Sequence, residues 1–277
     1  MNPSPDAYND VPTTSLSETS LENTTLFRFP SFEAVDGFAH AITSRPWNMA
    51  THCGADVDQT VARRQRICQT LGLPFNKLTA VDQIHSPHVI RILPADVGAG
   101  REGRHTALRF IDGMICDLPG AALMQFSADC PILLLVDPNR RILGTAHASW
   151  RGTVARIATE LVHQMRREFD VNPAELIAGI GPCAGPLEYE VGEAVRRVAL
   201  ARLPDADGFF PRVGETLRFD LRGANVDQLR RAGVDPSHIS VASISTMIDE
   251  RFYSHRRDGP ETGRFALIAG WLERHSI

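Results

Sequence analysis

Ser127-Ala-Asp-Cys130-Pro-Ile-Leu-Leu-Leu-Val136-Asp137-Pro-Asn-Arg140-Arg-Ile142-Leu-Gly-Thr-Ala-His147-Ala-Ser149-Trp-Arg151-Gly152 is the stretch from which the rest of the chain can be read. Its two apolar runs, Ile132 to Val136 and Ile142 to Ala146, flank Asp137-Pro-Asn-Arg140. Asp at the first turn position and Pro at the second favour a tight turn, so the runs read as a hairpin. A turn centred on Pro138 and Asn139 pairs Asp137 with Arg140, and an unbroken ladder then carries Cys130 directly opposite His147. Opposed residues share a face with Cβ atoms roughly 4.5–5.5 Å apart. That suits one ion with a metal–sulfur distance of about 2.3 Å and a metal–nitrogen distance of about 2.0 Å. A slip of one residue would separate the two side chains to opposite faces. From Ser149 the apolar period changes: Val154, Ile157, Ala158, Leu161, Val162 and Met165 fall on one face of a helix.

Working outward, the same alternation recurs. Asp56 to Leu71 has helical spacing and is stopped by Gly72-Leu-Pro74; Leu78 to His85 and Val89 to Leu93 read as strands around Ser86-Pro87. Residues 94–106 are loop-like. Ile111 to Cys116, Ala121 to Phe126, Leu176 to Ile180 and Ile239 to Ile244 read as strands, with helices near 192–203 and 224–232 and a closing apolar segment around 265–272. With neither an internal repeat nor a composition break, the expectation is an α/β protein: one mixed-sheet domain, residues 28–277, with flanking helices.

Composition narrows the function classes. The 277 residues are 43% hydrophobic and 22% charged, which is ordinary globular usage. The net charge of -4 equals the four acids of residues 1–27 (Asp6, Asp10, Glu18, Glu22), a Ser/Thr/Asn/Pro-rich segment without Lys or Arg, expected to be a disordered tail. The remainder is balanced, so nothing draws it as a whole toward nucleic acid or an anionic membrane, and any anion must be met by a local cluster. No apolar run approaches the roughly 20 residues of a membrane span. With no secretory-type apolar segment near the start, a cytoplasmic location is expected. Five scattered cysteines without a Cys-x-x-Cys pair are expected to be reduced.

A third metal ligand should come from another strand end, and Gln83-Ile-His85-Ser-Pro-His88 offers two histidines there. Gln83-x-His85, Ala128-Asp-Cys130-Pro, Ala146-His147-Ala-Ser-Trp-Arg-Gly152, Gly179-Ile-Gly-Pro182, Tyr189-Glu-Val-Gly192 and Phe252-Tyr-Ser-His-Arg-Arg-Asp-Gly259 occur in that order. Together they resemble the bacterial laccase-domain, or polyphenol-oxidase-like, family, whose members are also described as purine nucleoside phosphorylases. The resemblance runs from about Gly37 to Ala269. It implies a laccase-domain fold and a zinc ion held by His85, Cys130 and His147, which are also the implied catalytic groups. It further implies phosphorolysis of adenosine, inosine, guanosine or methylthioadenosine, with deamination of adenosine as a side activity. Ser149, Ser86, Arg63-Arg64 and Ser245-Thr246 depart from the family pattern.

Three protein ligands leave zinc an open position, the mark of a catalytic rather than structural ion. Phosphorolysis also needs an anion site. Arg151 at a helix start is the first candidate; Arg64 and Arg256 follow, with Asn48 and Asp112 as groups that orient substrate or ligands. Three other readings stay open. A His₂Cys set also suits copper, as a laccase-like polyphenol oxidoreductase would require, although none of the ten His forms a His-x-His pair. Cys130 with His147 could instead be the nucleophile and base of a Cys-His hydrolase or amidase, such as one editing peptidoglycan precursors. A non-catalytic, zinc-stabilised binding protein is the third.

Overall fold

The computed structural model describes residues 13–273. Its architecture is mixed α/β with flanking helices, and the strands divide between two seven-stranded sheets packed face to face. The first sheet has the order β1 (Thr13–Thr14), β15 (Ile239–Ala242), β12 (Ile177–Ile180), β10 (Ile132–Asp137), β11 (Ile142–His147), β8 (Gly113–Cys116), β6 (Val89–Arg91). The second has the order β2 (Ser17–Leu21), β3 (Thr24–Arg28), β4 (Phe38–Ile42), β16 (Phe265–Trp271), β9 (Ala122–Ser127), β5 (Leu78–Asp82), β7 (Leu108–Arg109). A small separate hairpin joins β13 (Arg212–Val213) to β14 (Thr216–Leu217).

The apolar runs are continuous because both faces of the central strands are covered. Along β10, Ile132, Leu134 and Val136 point into the core between the sheets, while Leu133 and Leu135 point outward. That outward face packs under α4 (Ile157–Phe169) and α6 (Leu221–Arg231), through residues such as Leu161, Met165 and Leu229. β16 alternates likewise, with Phe265 and Leu267 between the sheets and Ala266 and Ile268 beneath α2 (Val57–Leu71). Asp56 caps α2 by accepting from the Gln59 N–H, and Gly72 ends it in the left-handed conformation at φ 71°.

Three expectations are corrected. Residues 1–27 are not a tail throughout: Ser17–Leu21 and Thr24–Arg28 form an antiparallel pair that joins the second sheet, with Leu26 and Phe27 fully buried. The polar, threonine-rich composition reflects the exposure of β2 at the sheet edge, and threonine is well suited to such a strand. Residues 1–12 of the expected tail lie outside the described residues. The helix after Ser149 is two helices, α3 (Trp150–Val154) and α4, separated where Arg156 adopts φ 68°.

The central hairpin is also wider than a tight turn. Asp137 pairs with Ile142 and Ile132 with His147, leaving residues 138–141 as a four-residue loop. Asp137 Oδ1 accepts from the Asn139 and Arg140 N–H groups, both at 2.9 Å, and Arg141 turns the chain back through φ 56°. The ladder is therefore displaced by two residues from the expected register. Because the side-chain period is two, that displacement leaves Cys130 on the same face as His147, one diagonal step away.

The remaining helices, α1 (Pro30–Glu33), α5 (Glu193–Leu200) and α7 (His255–Asp258), border the sheets. Among the described residues no helix is long and apolar enough to cross a membrane.

Candidate metal centre and substrate cavity

Three strand ends converge. His85 follows β5 in a left-handed conformation, φ 68°; Cys130 precedes β10; His147 closes β11. One ligand atom from each lies within 4.8 Å of the other two, and the two imidazoles meet edge to face with centroids 5.1 Å apart. Two imidazole nitrogens and a thiolate at that spacing fit a four-coordinate ion with one position left for a ligand. Of the two histidines in Gln83-Ile-His85-Ser-Pro-His88, the structure brings His85 to the cluster, while His88 is exposed with Nδ1 against the Phe110 carbonyl.

Asp112, fully buried just before β8, holds this arrangement together. Its Oδ1 receives His147 Nδ1 at 2.9 Å and the His85 N–H at 3.0 Å. Its Oδ2 receives the Ile84 N–H at 3.1 Å, the Ser86 N–H at 2.7 Å and the Ser86 hydroxyl at 2.9 Å. One carboxylate thus fixes the His147 ring, directing Nε2 to the cluster, and pins the strained loop that presents His85. Burial opposes the charge of Asp112, yet the hydrogen bond from His147 and the loop N–H groups hold its pKa below the ordinary value. Ser86, a departure from the family pattern, adds a fifth donor to the carboxylate.

The Ala128-Asp129-Cys130 segment is pinned in the same manner. Asp129 sits at φ 99°, its carboxylate taking the Thr246 hydroxyl and the Arg256 N–H, both at 2.7 Å. The Ser127 hydroxyl donates to the Cys130 carbonyl at 2.6 Å. Burial alone would raise the Cys130 thiol, but His147 outweighs it through charge and a hydrogen bond, with a smaller part from His85, and brings the pKa down to about 7. Reciprocally, burial works against protonated His147, and the Cys130 charge and the Asp112 hydrogen bond overcome it, lifting its pKa to about 9. In metal-free protein, alkylation of Cys130 by iodoacetamide should therefore rise as pH increases through about 7 rather than near the ordinary thiol value of 9.0. Mass spectrometry of the modified peptide measures this, and saturating zinc should suppress it across the range.

The cluster opens onto a cavity of about 520 Å³, lined among others by Phe126, Trp150, Tyr189 and several arginines. The candidate anion groups separate there. Arg151, one residue into α3, is exposed, rests on the Trp150 ring with its guanidinium carbon 4.3 Å from the centroid, and has no carboxylate partner among the described residues. Arg256 lies over Tyr189 at 4.7 Å and spends one donor on the Glu190 carbonyl, at 2.7 Å. Arg64 reaches the wall but is fully buried, with its donors on the carbonyls of Met49, Gly100 and Arg101; burial lowers its pKa to about 10. Asn48 does not line the cavity. It ties a loop together through Cys53, Ala50 and Arg264. Ser149 caps α3 by accepting from the Gly152 N–H at 3.1 Å, which gives this departure from the family pattern a structural role. The sequence reading passed over Asp82 and Arg104, which also line the cavity; no motif marks them, because they are 22 positions apart and meet only through the fold.

Residues 36–272 match the family described as multi-copper polyphenol oxidoreductase laccase. The chain belongs to this family. A protein of Geobacillus stearothermophilus named purine nucleoside phosphorylase YlmD is 33% identical over 229 residues, covering 82% of this chain and 84% of its own. One from Deinococcus radiodurans, named purine nucleoside phosphorylase, is 32% identical over 245 residues, 85% of this chain and 90% of its own. The crystal structure of the Geobacillus YlmD superposes with a TM-score of 0.85 at 30% identity, over 92% of this chain and 99% of that one. Bacillus licheniformis YfiH gives 0.83 at 28% identity, over 91% and 97%.

Proposed function

We propose that this protein is a zinc-dependent purine nucleoside phosphorylase acting on adenosine, inosine, guanosine and methylthioadenosine, with deamination of adenosine as a side activity. The observation that carries the reading is the placement of the His85, Cys130 and His147 cluster on the wall of one cavity with Arg151 and Arg256, whose guanidinium groups have no carboxylate partner among the described residues. The names of the relatives at about one-third identity support it.

His85, Cys130 and His147 would hold the zinc ion, which supplies a Lewis acid with one open coordination position. Arg151 and Arg256 bind and orient the phosphate, their planar forks matching its oxygens. A phosphate oxygen forms the new bond to the ribose anomeric carbon as the bond to purine N9 breaks. The products are ribose 1-phosphate and a free base that takes up a proton. Asp112 holds His147 and the His85 loop in place throughout, and Trp150 and Tyr189 exclude water from one side.

Incubation of inosine, and separately adenosine, with protein and phosphate, followed by chromatography of bases and nucleosides, tests the reading. Arg151→Met should raise KM for phosphate by about tenfold or more, the loss of a charged hydrogen-bond pair, while leaving KM for inosine near wild type. An unchanged phosphate KM would remove Arg151 from the anion site. The thiolate character of Cys130 favours one second reading, a Cys-His hydrolase, with Cys130 as nucleophile and His147 as base. It predicts turnover in metal-free protein and inhibition by zinc, the opposite of the phosphorylase. For multi-copper oxidation, the described residues provide a single cluster of candidate ligands. The family's copper-bearing name is therefore not the reading adopted.

A further inference from the structure

Two chemically different sets of charged side chains line the cavity. One is Arg151 and Arg256, whose guanidinium groups have no carboxylate partner among the described residues, although the Arg256 N–H is bonded to Asp129. The other is Asp82, at the end of β5, with Arg104 from the short turn Arg104–Thr106. Arg104 Nε donates to Asp82 Oδ1 at 2.6 Å. The side chain of Asp82 is 14% exposed and that of Arg104 56%. Among the described residues, the two terminal nitrogens of Arg104 and the second oxygen of Asp82 have no protein partner. Such a pair is neutral overall and presents a donor beside an acceptor, so it matches a neutral group that also carries an acceptor beside a donor. Ala80, Val81, Ala107 and the ring of Phe126 add apolar surface to the cavity, with the Arg64 guanidinium against the Phe126 ring at 5.2 Å.

We propose that Asp82 and Arg104 read the N1/C6 edge of the purine, with the base lying in the slot beside Phe126. The inference rests on the phosphorylase reading for placing phosphate at Arg151 and Arg256. In hypoxanthine and guanine, Asp82 accepts from N1–H while Arg104 donates to O6. Adenine presents the opposite order, an acceptor at N1 and a donor at C6, so a pair placed in this way favours the 6-oxo bases, and a purine with hydrogen at C6 offers it neither the N1–H nor the O6. Backbone reach agrees, since Asp82 precedes His85 by three residues, at most about 11 Å of extended chain, so the base edge and the metal ligand border one substrate. Nearby His52 is favoured in its neutral form by partial burial and by the charges of Arg104 and Arg264, the latter a further cation lining the cavity.

The test compares hypoxanthine with unsubstituted purine, by calorimetric binding in the presence of phosphate, and inosine with purine riboside, by kcat/KM. Wild type should prefer the 6-oxo compound by about tenfold to a hundredfold in both measurements, the scale of one charged hydrogen bond. Asp82→Ala and the volume-conserving Arg104→Met should each bring that ratio close to one while leaving KM for phosphate unchanged, an effect that loss of a merely structural ion pair does not produce. An unchanged ratio in both variants, or no preference in wild type, overturns the assignment. Binding preference without ribose 1-phosphate formation would sink the phosphorylase reading and leave the base site standing. Normal phosphorolysis with unaltered ratios would do the reverse.

Discussion

On the proposed phosphorylase reading, His147→Ala should lower kcat/KM for phosphorolysis by on the order of a thousandfold or more, since a Lewis acid contributes several kcal/mol of charge stabilisation and each 1.36 kcal/mol is about tenfold. The same variant should lose its zinc, measured as metal content after gel filtration, because Cys130 and His85 remain as only two ligands. His147 is buried and bonded to Asp112, so some loss of stability accompanies the change. His85→Ala separates the two effects. His85 is exposed and its place in the fold is held by its backbone N–H, which alanine retains. This variant should therefore lose activity and metal to a similar degree while its thermal unfolding in the metal-free state stays within a few degrees of wild type. Melting of the fold on removing His85, with no activity to lose, would instead describe a zinc-stabilised binding protein.

Asp112→Asn has the second largest effect, and it acts without touching substrate. The carboxylate of Asp112 faces five donors, and an amide that keeps one oxygen must turn its NH₂ toward some of them. Leaving buried donors opposed costs about 1–3 kcal/mol each, and breaking a buried charge interaction about 3–5 kcal/mol in all. Denaturant unfolding should show a loss of that size. Zinc affinity, by competition with a chromophoric chelator, should fall by about tenfold to a hundredfold, as is usual when the partner of a ligating histidine is removed. A variant with wild-type zinc affinity would show that His147 needs no orientation from Asp112. Ser86→Gly, the residue implied by the family resemblance, removes the side chain and its hydroxyl bond but keeps the backbone N–H donor, and should have a much smaller effect in the same direction.

Much of the metal centre is legible in the sequence because Cys130 and His147 flank one hairpin, where a short-range argument reaches both. Its details are not. The register moves by two because Arg141 takes a left-handed conformation, and no turn residue of the Asp-Pro-Asn-Arg type announces that. Cys130 and His147 still share a face only because the shift is even. The strands at residues 17–28 read as a polar tail since β2 is an edge strand whose serines, threonine and glutamate are mostly exposed, and an edge strand resembles a disordered segment in composition. Arg64 stands at a helix position from which it looks able to meet an anion. Its burial against the carbonyls of Met49, Gly100 and Arg101 depends on contacts made across 15 to 37 positions. Asp112 is visible only as an acid at a strand end; that five donors converge on it is a property of the loop holding His85. Asp82 and Arg104 are invisible for the same reason.

The division into a neutral body and an acidic tail does not survive the fold: Glu18 and Glu22 belong to the folded body, where they pair with Arg251 and Arg66.

The most direct test of the account is product stoichiometry. Inosine is incubated with zinc-loaded protein, with and without phosphate, and hypoxanthine and ribose 1-phosphate are quantified together. The account predicts equimolar base and ribose 1-phosphate, formed only when phosphate is present. Base released without phosphate, accompanied by free ribose, would contradict it.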